Sequence, residues 1–132
     1  MNRSGVGIKG FLLALILAFT STTSLAGEAD VVNATVTKTG VSPSGIGNSY
    51  RISATVRHAD EGWDHYANAW RVMTTDGEVL GVRELLHPHE TEQPFTRSLS
   101  GITVPEGVTE VIIEARDSVH GWGGETYVLP LK

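Results

Sequence analysis

Cysteine is absent from this chain. Its absence excludes disulfides, thiol nucleophiles, thiolate metal ligands and lipid attachment through a cysteine, and leaves the fold to an apolar core and polar contacts alone. Methionine is nearly as scarce: of two residues, only Met73 lies beyond position 26, so a thioether site selective for Cu⁺ has too few ligands. Long apolar runs are missing too, with one exception from Phe11 to Phe19. That run is about half the length that spans a bilayer. It follows Arg3 and Lys9 and precedes Ser24-Leu25-Ala26, a small-x-small cleavage site. The sequence therefore predicts a cleaved signal peptide over 1–26, a single domain over 27–132 that is periplasmic or secreted, and no stable membrane insertion after cleavage.

Positive charge is the next shortage. Beyond residue 26 there are eight basic residues against 15 acidic ones, a net charge of −7. Nucleic-acid binding needs a basic footprint that displaces counterions, so no nucleic acid is expected as a partner. About 106 residues suffice for one core but not for two domains.

What remains is a chain of short alternating segments separated by turn residues every 8 to 12 positions, the pattern of an all-β protein. Tyr50, Ile52, Ala54, Val56 and His58 alternate with Arg51, Ser53, Thr55 and Arg57, giving one apolar and one polar strand face. A first strand is expected over 30–39, and Gly40 to Asn48 reads as a loop. Tyr66, Asn68, Trp70 and Val72 share a face of the third strand, with Trp70 in the core. Asp76-Gly77 is expected to supply the hairpin turn, because both residues tolerate positive φ. Strands follow over 78–86, 95–100, 109–117 and 125–132, with Gly121 to Gly124 read as loop. Seven strands with a tryptophan in the third predict an immunoglobulin-like or fibronectin type III-like sandwich, which by itself fixes no function. The stretches His87-Pro-His-Glu, Glu92-Gln-Pro-Phe-Thr-Arg-Ser98 and Arg116-Asp-Ser-Val-His-Gly121 resemble those of an uncharacterised family of small bacterial secreted proteins. That resemblance implies no activity.

In such a meander the loops 59–65, 87–94 and 118–124 share one pole. They carry His65, His87, His89 and His120, with His58 ending the second strand, whereas the opposite pole holds no histidine. His-x-His in an extended segment projects both rings to one side, so His65, His87, His89 and His120 are candidate ligands for Cu²⁺ or Zn²⁺. Glu90, Glu92, Arg97, Arg116 and Asp117 are candidates for orienting the rings or clamping the loops, either arginine pairing with Asp117, Glu90 or Glu92. The other acidic loop residues, Asp60 among them, read as solvated. Trp63 and Trp122 offer a surface to a protein or glycan. Asp117, Ser118 and His120 include the residue types of a hydrolase triad, but their adjacency does not provide its geometry. The sequence thus predicts an exported, non-enzymatic binding or structural module with a histidine-rich pole, and as its alternative a periplasmic copper- or zinc-binding protein.

Overall fold

Every second residue of β2 (Asn48–Arg57) is buried from Tyr50 to Val56, because one face of this strand meets the opposite sheet and the other meets solvent. The computed structural model describes residues 27–132; the predicted leader lies outside them. β2 is flanked by β1 (Asp30–Val41) and β5 (Phe95–Val104) in a sheet of order β1-β2-β5. The second sheet has the order β4-β3-β6-β7, from β3 (Ala67–Met73), β4 (Val79–Glu84), β6 (Glu110–Asp117) and β7 (Gly121–Pro130). All pairings are antiparallel. The seven expected strands are present as a sandwich. β4 lies beside β3, so the partition is the fibronectin type III-like form of the expectation rather than the constant-type immunoglobulin order.

The core between the sheets is built on Trp70, Phe95, Ile52, Ile102, Ile113 and Val111, each at most 2% exposed. Trp70 occupies the interior, as its strand position predicts. Asn68 does not share its face: the register shift between Ala67 and Ala69 resets the phase, and Asn68 instead accepts a hydrogen bond from Arg116. A β-bulge makes this change by adding one residue to a period of two.

Three further expectations are corrected. β5 continues to Val104, past Gly101 at φ 72°, where a register shift against β2 absorbs the positive φ. The β3–β4 connection is wider than a two-residue turn. Thr74 and Glu78 close it through backbone bonds, and Gly77 rather than Asp76 takes positive φ. Gly121 to Gly124 belongs to β7, because Gly121, Trp122 and Gly123 pair with Asp117, Arg116 and Ala115 of β6. Trp122 then lies flat beneath two guanidinium groups, Arg71 at 4.1 Å and Arg116 at 5.1 Å from its ring centre. Stacking of this kind holds a glycine-rich segment in a strand that its own propensity disfavours.

Candidate functional site: a histidine and carboxylate cluster between the sheets

The inward phase of β2 does not stop at Val56. It carries on to His58, which is 3% exposed. On the facing sheet, the inward phase of β6 runs Val111, Ile113, Ala115 and Asp117, the last 1% exposed. Two strands from opposite sheets therefore deliver a histidine and an aspartate to the same end of the core. His65, 8% exposed, bridges them from the β2–β3 loop.

The distances are short. His58 Nε2 and His65 Nε2 are 3.3 Å apart, and His65 Nε2 is 3.0 Å from Asp117 Oδ1. One ligand atom from each of His58, His65 and Asp117 lies within 4.8 Å of the others. His58 Nδ1 points the other way, 2.6 Å from Asp60 Oδ1, and its Nε2 is also 2.9 Å from the Gly27 carbonyl oxygen. His120 stands at the solvent edge, its Nδ1 3.1 and 3.2 Å from the two Asp117 oxygens. A groove of about 430 Å³ lined by Gly27, Glu28, Asp30, Arg57 and His58 adjoins the cluster at His58.

The carboxylates are held by backbone donors. Asp117 Oδ1 accepts the Val119 and His120 N–H groups, at 2.8 and 2.7 Å. Asp60, whose side chain is fully buried, accepts the Ala67 N–H on Oδ1 and the His89 N–H on Oδ2. A single aspartate thus pins the β2–β3 loop, the start of β3 and the β4–β5 loop. Burial is the largest influence on both acids and opposes their ionisation. The bonds from His58, His89 and Ala67 to Asp60, and from His120 and Val119 to Asp117, outweigh it and hold both pKa values below the usual 3.8. Burial likewise opposes a charge on His58, but the bonds to Asp60 and the Gly27 carbonyl, with the charges of Asp60 and Asp117, keep its pKa above 6.5.

The structure divides the four histidines expected as ligands. His65 and His120 join Asp117. His87 and His89 form a separate pair, ring centres 4.6 Å apart, with the buried His89 ring stacked on Phe95 at 3.9 Å. In their place the cluster takes His58, and Asp60 proves to be buried rather than solvated. Both were legible in part: His58 continues the apolar alternation of its strand, whereas no local pattern announces that Asp60 turns inward. Arg97 pairs with Glu92 at 3.2 Å, one of the clamps expected. Arg116 pairs with Glu84 at 3.0 Å instead of Asp117, Glu90 or Glu92, because it points to the outer face of the sheet while Asp117 points inward. Glu90 is exposed. Trp63 is 66% exposed beside Tyr66, while Trp122 is half-buried under its two arginines.

No known protein family and no solved structure matches the chain. It is similar to a protein of Halomicrobium mukohataei named "Putative lipoprotein", with 45% identity over 102 residues that cover 77% of this chain and 47% of that protein. The chain spans about half the length of that relative. Among the described residues, no helix is long and apolar enough to cross a membrane.

Proposed function

We propose that this protein is an exported, non-enzymatic binding module whose histidine pole holds a divalent transition metal ion on His58, His65 and Asp117. The carrying observation is the close approach of one possible ligand atom from each of His58, His65 and Asp117, all within 4.8 Å of one another. His65 Nε2 bears at most one proton, yet it faces His58 Nε2 at 3.3 Å and Asp117 Oδ1 at 3.0 Å. If that proton goes to Asp117, the two Nε2 atoms meet without a useful bond. If His58 donates to His65, a nitrogen lone pair meets a carboxylate. A cation that took the place of the Gly27 carbonyl at His58 Nε2 would accept all three lone pairs at once. Zinc bonds of 2.0–2.2 Å in tetrahedral geometry place neighbouring donors roughly 3.3 Å apart, close to the spacing here.

The surroundings fit the same role. Asp60 accepts from His58 Nδ1, so an ion would bind Nε2 in exchange for the Gly27 carbonyl, the carboxylate–histidine–metal arrangement that fixes a ring's tautomer and orientation. Glu61 stands 3.7 Å from His65 Nδ1. Two imidazoles and a carboxylate suit Zn²⁺ or Cu²⁺. His120 flanks the cluster on its solvent side.

Export is supported by the leader-like residues 1–26 and by the name of the Halomicrobium relative. Attachment of lipid to cysteine is excluded for these 132 residues, which contain none. Periplasmic or secreted location, and a carrier or sensor role, follow as the cellular side of the proposal.

The test is calorimetric titration of metal-free protein with Zn²⁺ and with Cu²⁺. One equivalent should bind, His65→Gln and Asp117→Asn should remove it, and a His87→Ala/His89→Ala variant should retain it. Absence of binding heat, with a melting temperature that saturating metal leaves unchanged, overturns the proposal.

A further inference from the structure

Of the buried side-chain nitrogens and oxygens without a hydrogen-bond partner among the described residues, three of four belong to two neighbours: Arg83 Nε, His89 Nδ1 and His89 Nε2. Native interiors rarely leave such atoms unmatched, and a cluster of them at one place calls for a ligand, an ion or water. Arg83 and His89 both line one cavity. It measures about 100 Å³ and is lined by Arg83, Leu85, Leu86, His87, His89 and Arg97. Its lining comes from the edge strands β4 and β5 and from the loop between them.

The lining has one chemical character. Two arginines, two histidines and two leucines line the space, and no carboxylate is among them. We infer that this cavity binds a small oxyanion, a carboxylate or a tetrahedral oxyanion, through Arg83, Arg97 and the His87–His89 pair. Arg83 has an N–H to give, since only its Nη1 is engaged, with the Glu84 carbonyl. A guanidinium offers planar, forked donors that match an oxyanion, and each such bond is charge-assisted. His89 is held rigid by its stack on Phe95 and by the bond from its own N–H to Asp60. The space accommodates about three waters at roughly 30 Å³ each, the size class of an acetate, sulfate or phosphate group.

Two opposing charges limit the strength. Glu92 already takes one Arg97 N–H at 3.2 Å, and Asp60 lies behind His89. The net charge of −7 beyond the leader repels anions at long range. Binding is therefore weak, and the site selects by geometry more than by charge. This inference is independent of the metal proposal.

Amide NMR titrations of the folded protein with phosphate, sulfate and acetate, each against chloride at matched ionic strength, test it. Saturable shifts centred on Arg83, Leu85 to His89 and Arg97 are expected for at least one anion. Saturation by phosphate or sulfate alone assigns a tetrahedral oxyanion, and saturation by acetate alone assigns a carboxylate. Arg83→Gln should weaken binding about tenfold, the loss of one charge-assisted donor; should that variant not fold, Arg97→Gln serves the same purpose. His65→Gln, in the metal cluster, should leave the anion response unchanged. Shifts that never saturate, or that a folded Arg83→Gln protein reproduces in full, overturn the inference and leave the cavity to water.

Discussion

The two ends of the sandwich are closed by different means. At the end remote from the histidines, the connections 42–47, 74–78 and 105–108 are fastened by backbone and hydroxyl groups: Ser42 bonds Gly47 and Ile46, Thr74 bonds Glu78 and Gly77, and Pro105 bonds Val108. Gly47 (φ 78°), Gly77 and Gly107 take the positive φ those turns require, and a side chain at Gly47 would run into the Val104 carbonyl. At the histidine end, the fastening is done by Asp60 and Asp117, buried carboxylates that gather N–H groups from several loops. One end depends on backbone conformation and is indifferent to protons. The other depends on charge, and a chain without disulfides has thereby made half of its closure responsive to pH.

The comparison is broken most severely by Asp60→Ala. It removes the acceptor for three groups and strands the buried His58 ring, so a loss of about 3–5 kcal/mol is expected in denaturant unfolding. At the opposite end, Thr74→Val removes one buried hydroxyl acceptor from the Glu78 N–H and should cost only about 1 kcal/mol. Equal losses would dissolve the contrast.

Metal sharpens it. At a free concentration of about 100 times Kd, an ion that binds only the native state stabilises it by about 2.7 kcal/mol. Thr74→Val should retain that increment in a thermal melt with and without Zn²⁺, and His65→Gln should lose it.

The pH profile of the metal-free protein gives a smaller effect. Asp60 and Asp117 have lowered pKa values, so their stabilisation is present above 3.8 and is lost as pH falls through their native values. His58 has a raised pKa, so its contribution is full below 6.5 and is lost as pH rises through its native value. The stability gap between wild type and Asp60→Asn should therefore be widest between pH 3.8 and 6.5 and narrow on either side. The gap for Thr74→Val should stay flat. His89 works in the opposite sense: burial, then the charges of Arg97 and His87, lower its pKa, so acidification below 6.5 removes stability. The Asp60 charge partly offsets that lowering, so Asp60→Asn should deepen the loss from His89 at acid pH.

The fold was legible because alternation is a local signal. Tyr50 to His58 announces a strand and also announces that His58 faces inward, and Val111 to Asp117 does the same for the aspartate. Cross-sheet meetings carry no such signal. His87 and His89 drew notice through their i, i+2 spacing, which does place their rings side by side, but spacing within one loop says nothing about which rings from separate loops converge. The bulge at Ala67–Ala69 and the strand formed by Gly121 to Gly124 were hidden for a related reason. The first depends on a register jump against β6, and the second on arginines contributed by β3 and β6.

One contact reaches back to the beginning of the domain. The Gly27 carbonyl, 2.9 Å from His58 Nε2, belongs to the first residue after the expected cleavage point. Glu28 and Asp30, just beyond, receive the Gly124 and Glu125 N–H groups and tie this segment to β7. Removal of residues 1–26 would leave a free amino group one residue's breadth from the buried imidazoles. In a chain cut after Ala26 that amine would stand near the histidines as one more donor.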